Sequence, residues 1–142
     1  MLLDGDGLGD EHADELADYL RDNSHTELLH LAANELTEEG VSAIAASLPT
    51  CAVRRLSLAS NHVQDAGSLA LAAALEAGFA PEQIDLSDNM LTEEGALALV
   101  SAAAKSSFSL RWLDLSLNPM ISDEGRVACS KASVGACFDL RV

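Results

Sequence analysis

Apolar and polar residues alternate over short stretches that recur at nearly constant spacing along the chain. Four such stretches align: LLHLAANELTEEG from Leu28, RLSLASNHVQDAG from Arg55, QIDLSDNMLTEEG from Gln83 and WLDLSLNPMISDEG from Trp112. The spacing between their asparagines is 27, 28 and 29 residues: Asn34, Asn61, Asn89 and Asn118. Apolar residues two positions apart are typical of a strand with one buried face. Each stretch is therefore predicted to begin with a short strand.

A helix is predicted after each asparagine. Thr37, Thr92 and Ser122 each stand directly before two acidic residues. A hydroxyl cap followed by carboxylates suits the positively polarised first turn of a helix. Apolar residues then recur at helical spacing, as Ile44 and Leu48 do, with alanines between them. The repeats predict an α/β fold, a right-handed solenoid with parallel strands on its concave side and helices on its convex side.

The four asparagines are predicted to end their strands by turning inward. A carboxamide can both donate and accept hydrogen bonds, so it can pair main-chain groups that would otherwise be buried without partners. Stacking of the repeats would then align the asparagines in an internal ladder: Asn34, Asn61, Asn89 and Asn118.

The L-x-L-x-x-N-x-L pattern joined to a T-E-E-G helix start resembles the ribonuclease-inhibitor-like leucine-rich repeat family. The resemblance extends over about residues 1–142. It implies a short horseshoe arc that binds another protein. Regulation of a small GTPase or of actin, as in related repeat proteins, stays open as the alternative.

The length and the repeats predict a single domain, residues 1–142, with about five repeats. The first is degenerate, with Asp6 where the asparagine would fall, and the last ends in an edge strand around Phe138, Leu140 and Val142. The expected boundaries are 1–25, 26–52, 53–80, 81–109 and 110–142.

The chain is strongly acidic, with 23 Asp and Glu against 8 Lys and Arg and a net charge of −15. Such a charge repels phosphate backbones, so no nucleic-acid partner is expected. Residues 1–99 hold 19 acids and 3 bases, whereas residues 100–142 hold 4 acids and 5 bases. The acidity is either a functional charge field or a solubility or genomic bias, and composition does not separate the two.

The cysteines and the N-terminal sequence predict where the protein resides. Cys51, Cys129 and Cys137 are odd in number and lack zinc-ligand spacing, which favours a reducing environment. The start, MLLDGDGLGDEH, has no signal-peptide pattern, and no apolar run is long enough to span a bilayer. We therefore expect an intracellular, cytoplasmic protein without membrane insertion.

No metal, cofactor or catalytic site is predicted. Asp4, Asp6, Gly9 and Glu15 match positions of a calcium-binding loop, but Leu8 stands where an oxygen ligand is needed, and no helix could precede the loop. The four histidines lack metal-ligand spacing. No nucleophile elbow or oxyanion-forming glycine loop is recognisable, so catalysis is not expected.

The residues between the inward leucines are predicted to form the binding surface, because they point to the concave side. The first row is Leu28, Arg55, Gln83 and Trp112. The second is His30, Ser57, Asp85, Asp114 and Asp139. The third is Ala32, Ala59, Ser87 and Ser116, flanked by Asp88 and Leu117. Trp112 is the expected anchor, with Arg55 next, unless its ring folds over the edge of the core.

The sequence thus predicts a non-enzymatic interaction module, an adaptor or a subunit of an intracellular assembly. Its partner would be another protein, and the chain itself a monomer or part of a hetero-complex. Because Met1 and Leu3 take the first inward positions, nothing would cover the N-terminal layer, and the exposed solenoid ends are predicted as further contact surfaces.

Overall fold

Strands and helices alternate along the chain in a computed structural model that describes residues 1–106 and 109–142. The helices are α1 Ala13–Asp22, α2 Glu38–Ser47, α3 Asp65–Glu76, α4 Glu93–Ser106 and α5 Asp123–Ala132. The strands are β1 Leu28–His30, β2 Arg55–Ser57, β3 Gln83–Asp85, β4 Trp112–Asp114 and β5 Asp139–Arg141. Short 3₁₀ turns lie at Asp10–His12 and Leu48–Thr50.

The strands form one parallel sheet in the order β1-β2-β3-β4-β5. Equivalent residues of successive repeats are paired, as Leu56 pairs with Ile84 and Ile84 with Leu113. Before β1, Leu2 bridges His30, and the Leu3 N–H donates to the His30 carbonyl at 2.9 Å. Each helix packs against the next along the chain. The predicted α/β repeat solenoid is confirmed.

The core lies between the sheet and the helices and consists mostly of aliphatic side chains. Each strand places its middle residue inward, and Leu29, Ile84 and Leu113 are fully buried. The helices contribute residues such as Ile44 and Leu71, also fully buried. Met1 and Leu3 pack against this core while Leu2 is exposed, which agrees with the alternation expected at the N-terminal end.

Each repeat asparagine bonds to the main chain of the preceding repeat. The Asn61 Oδ1 accepts from the Leu36 N–H at 3.1 Å, and its Nδ2 donates to the Leu31 carbonyl at 2.8 Å. The same two bonds recur at Asn34, Asn89 and Asn118. All four side chains are buried. The amides thus bond to backbone of the neighbouring turn, so each repeat supplies the polar partners that the repeat before it lacks.

A second set of contacts joins the first turns of neighbouring helices. The Asp65 carboxylate accepts from the Thr92 N–H at 2.9 Å and from the Thr92 hydroxyl at 2.6 Å. Asp10 receives the same two bonds from Thr37. The hydroxyls of Thr37 and Thr92 also accept from the N–H two residues later, which is the predicted capping role. Each of these threonines therefore caps its own helix and also bonds to an acid at the start of the preceding helix.

Gly95 is required by this helix contact rather than by turn geometry. A Cβ at this position would lie 2.3 Å from the Asp65 Oδ1 and 2.9 Å from the Asp65 Cα. The T-E-E-G glycine thus allows the preceding helix to approach closely.

In the described residues, no helix is both long and apolar enough to cross a membrane.

Replacing Asn89 by Ala should lower the free energy of unfolding by about 1–3 kcal/mol, because buried main-chain groups of two repeats lose their partner. Chemical denaturation followed by circular dichroism measures this change. Gln83→Ala is the control, since Gln83 is an exposed amide in the same repeat. Equal denaturation midpoints for the two variants would contradict a stabilising role for the asparagines.

Replacing Asp65 by Ala should cost roughly 1–2 kcal/mol of unfolding free energy, because Thr92 loses two hydrogen bonds that hold the start of α4. Thermal and urea unfolding would report this loss. Glu76→Ala removes the same charge from an exposed position at the end of α3 and should change stability little. A similar effect from both variants would show that charge, not the Thr92 contact, is responsible.

Candidate protein-binding face

The concave face is formed by the strand residues on either side of the buried middle position. Strand pairing aligns its first row, Leu28, Arg55, Gln83, Trp112 and Asp139. It also aligns the second row, His30, Ser57, Asp85, Asp114 and Arg141. Because the strands are in register, both rows run across the sheet at right angles to the strands.

The last strand differs from expectation. Asp139 was predicted beside Asp114 in the second row, but it pairs with Trp112 in the first, and Arg141 pairs with Asp114. The reason is that Leu140 is the residue aligned with the buried Leu113. The second row therefore ends in a cation rather than in another acid.

The first row combines several large side chains that are at least partly accessible. Arg55 and Gln83 are exposed, and Trp112 and Leu28 are partly exposed. Trp112 lies between Gln83 and Asp139, so polar neighbours flank the indole on both sides. An aromatic ring that is only partly covered retains apolar surface for contact.

The acids of the second row are held by their own turns. The Asp85 Oδ1 accepts from the Ser87 N–H at 3.0 Å and hydroxyl at 2.7 Å. Asp114 makes the same bonds to Ser116, and its Oδ2 lies 3.4 Å from the Arg141 Nη1. Asp85 remains partly exposed, but Asp114 is only 4% exposed. Contrary to the sequence prediction, Asp114 is therefore a buried structural carboxylate and contributes almost nothing to the accessible concave surface.

His30 lies at the N-terminal end of the second row and contacts the acidic first repeat. Its Nδ1 is 3.5 Å from the Asp4 Oδ2, while the Asp4 Oδ1 accepts from the Ala32 N–H at 2.7 Å. The Asp4 side chain thus joins the first turn of the chain to the end of β1. Across the described residues, no three His, Cys, Asp or Glu side chains are grouped to hold a metal ion.

The three cysteines are thiols with different exposure. Cys129 is buried, Cys51 is partly buried and Cys137 is exposed. Burial raises the pKa of the Cys51 and Cys129 thiols, and hydrogen bonding at Cys51 and the Arg126 charge near Cys129 oppose the rise only in part. Both therefore stay protonated at neutral pH, which makes them poor nucleophiles.

Beyond the strands, the turns form what we call the loop-edge groove, an open depression of about 830 Å³. Its lining residues are Ser60, Asn61, His62, Asp88, Asn89, Met90, Leu117, Pro119 and Arg126. The predicted site residues Asp88 and Leu117 both lie here, away from the strand rows. Met90, Pro119 and Arg126 were not predicted. Met90 and Pro119 directly follow a repeat asparagine, at the position that Glu35 and His62 occupy in the other repeats.

The two solenoid ends differ in charge and shape. At the N-terminal end a slot of about 250 Å³ is lined by apolar residues, including Leu3, Leu8 and Leu16. Eight acids and one base lie in residues 1–22 around it. At the other end, α5 exposes Val127, and Val134 is exposed just beyond it. Apolar surface is therefore accessible at both ends of the described structure.

Comparisons with known proteins agree with the repeat pattern. A family model described as Leucine Rich repeat matches residues 22–45, 51–72 and 106–128. The chain is 34% identical over 121 residues to RAN GTPase-activating protein 2 of Arabidopsis thaliana, covering 83% of this chain and 22% of that protein. It is 32% identical over 117 residues to Ribonuclease inhibitor of Sus scrofa, covering 81% of this chain and 26% of that protein. The chain thus spans about a quarter of the length of these relatives.

A solved structure supports the same fold. The chain superposes on the structure described as Leiomodin-1 Actin-Binding Site 2 (ABS2) with a TM-score of 0.74. The match covers 93% of this chain and 76% of that one at 18% sequence identity, so it bears on the fold alone. Three observations agree: the asparagine-linked parallel sheet, the repeat matches and the similarity to the two relatives. The chain belongs to the ribonuclease-inhibitor-like leucine-rich repeat family.

Proposed function

We propose that this repeat domain is a non-enzymatic adaptor or assembly subunit that binds a protein partner on its concave face. The observation that supports this most is the first row, where the partly exposed Trp112 and the exposed Arg55 and Gln83 stand on hydrogen-bonded strands. Tryptophan and arginine dominate the energetics of protein interfaces. Because strand pairing fixes their main chain, no backbone ordering is needed on binding.

The size of the face limits the shape of the partner. Four inter-strand spacings of about 4.8 Å separate β1 from β5, so the face is about 19 Å across. A helix with its side chains is about 10–12 Å in diameter. The face therefore suits a helix or a small convex patch, and the apolar solenoid ends add contact area for a larger partner.

The charge of the chain favours a basic partner. With a net charge of −15, long-range attraction selects positively charged surfaces and accelerates encounter with them. Association should weaken as salt rises, because the Debye length is about 8 Å at physiological ionic strength.

The polar groups of the concave face support binding over catalysis. Ser87 and Ser116 donate their hydroxyl protons to Asp85 and Asp114 within the same turn. A serine nucleophile needs a base that is itself free to take the proton, usually an imidazole. The only histidine in the two strand rows is His30, three strands away from Asp114 in the order of the sheet.

Affinity capture from native cells with matched variants tests this proposal. The amount of each partner that the unmodified domain retains should fall at least about tenfold with Trp112→Ala. Loss of an interface anchor costs about 2 kcal/mol or more of binding free energy. Leu69→Ala is the control, because Leu69 is an exposed apolar residue on the helical side. Equal retention by both variants, with both folded by circular dichroism, would contradict binding through the concave face.

Regulation of a small GTPase is the second candidate, favoured by the similarity to RAN GTPase-activating protein 2. GTP hydrolysis by Ran in the presence and absence of this chain distinguishes the two functions. An adaptor leaves the hydrolysis rate unchanged even at saturating concentration. An acceleration by this chain would replace the adaptor proposal. A parallel actin polymerisation assay tests the regulation of actin.

A further inference from the structure

The loop-edge groove combines apolar surface and a cation outside the strand rows. Met90, Leu117 and Pro119 supply apolar side chains, and Arg126 from the first half of α5 supplies the charge. Asp88 also lines the groove. Such a mixture differs from the equivalent edge of the earlier repeats, where Ala33 and Glu35 take the positions of Leu117 and Pro119.

Leu117 is held in a conformation that does not suit it. Its φ is +59°, in the left-handed region that leucine rarely adopts, and its side chain is 70% exposed. The three equivalent positions hold small or short polar residues: Ala33, Ser60 and Asp88. The repeat turn therefore imposes this conformation at all four equivalent positions, and only Leu117 places a large apolar side chain there. Because Leu117 is mostly exposed, its side chain contributes little to the core and is available for contact.

The apolar surface extends beyond Leu117. Met90 is 45% exposed and Met120, next to Pro119, is 55% exposed. Methionine side chains are flexible and polarizable, so they adapt to the shape of an incoming apolar group. A cluster of large apolar side chains at one edge is the kind of patch that marks an interaction surface.

Arg126 supplies the charge that selects the occupant. Its Nη2 is 3.4 Å from the Asn118 carbonyl, a long contact that uses one of five guanidinium protons. Within the described residues no carboxylate lies within 4 Å of this guanidinium. Arginine binds carboxylates through paired hydrogen bonds, so a carboxylate on the partner would complete the site.

We propose that the loop-edge groove binds an amphipathic segment of a partner protein, with an apolar side chain on Leu117 and Met90 and a carboxylate on Arg126. The inference does not rest on the concave face, because none of these residues belongs to the strand rows. An inorganic anion would engage Arg126 but leave the apolar surface exposed. The adjacent Asp88 favours a segment that carries a basic residue as well.

Two fluorescent helical peptides of about 15 residues, roughly four turns, serve as probes. Both carry a leucine pair and one lysine, and they differ only in a Glu or Gln one turn from the leucines. Fluorescence anisotropy should show that the Glu peptide binds about tenfold more tightly than the Gln peptide. Arg126→Gln should remove this preference, whereas Lys131→Gln, which removes an equal charge from an exposed position on α5, should keep it.

Leu117→Gly separates binding from folding. Glycine accepts the left-handed conformation, so the melting temperature should stay equal or rise, while affinity for the Glu peptide should fall at least about tenfold. Trp112→Ala should leave peptide binding unchanged, because Trp112 does not line the groove. The two proposals can therefore fail independently. Equal binding of both peptides, no binding of either, or full affinity in Leu117→Gly would overturn the proposal.

Discussion

The structure depends on the hydrogen bonds that each buried asparagine makes to the repeat before it. A narrow solenoid must turn the chain inside its own core, where main-chain groups would lose water without finding a partner. The Asn61 side chain supplies both a donor and an acceptor to the main chain around Leu31 and Leu36. Because one asparagine serves each turn, the repeats stack at a nearly fixed spacing, and their strands align in register.

Close stacking of the helices follows from the same spacing but uses different residues. Asp65 bonds to Thr92 in the next repeat, and Gly95 leaves room for it. Asparagine amides thus hold the strand side of neighbouring repeats together, and carboxylates that accept from threonine hold the helical side. With both edges fixed, the side chains on the concave face and in the loop-edge groove are free to vary without loss of the fold.

The sequence predicted the strands, the asparagine positions and the helix caps because all of them repeat within one chain segment of about 28 residues. It did not predict contacts between side chains of different repeats. The hydrogen bonds that Thr92 donates to Asp65 and Arg141 donates to Asp114, and the burial of Asp114, depend on which residues stacking brings together. The placement of Asp139 also failed, because the terminal strand lacks an asparagine to fix its register.

The loop-edge groove was predicted only in part, because Asp88 and Leu117 were expected at the binding surface but Met90, Pro119 and Arg126 were not. Leu117 and Met90 are ordinary variable positions in each repeat, and only stacking brings them to one groove with Arg126 from the following helix. Cations are few in this chain, and Arg55, Arg126 and Arg141 stand at or beside the surfaces proposed for contact. The overall acidity can then attract a basic partner at a distance, while these arginines select local carboxylates once it arrives. In the proposed binding, encounter and fit are thus governed by charges of opposite sign, which disfavours partners that are uniformly basic or uniformly acidic.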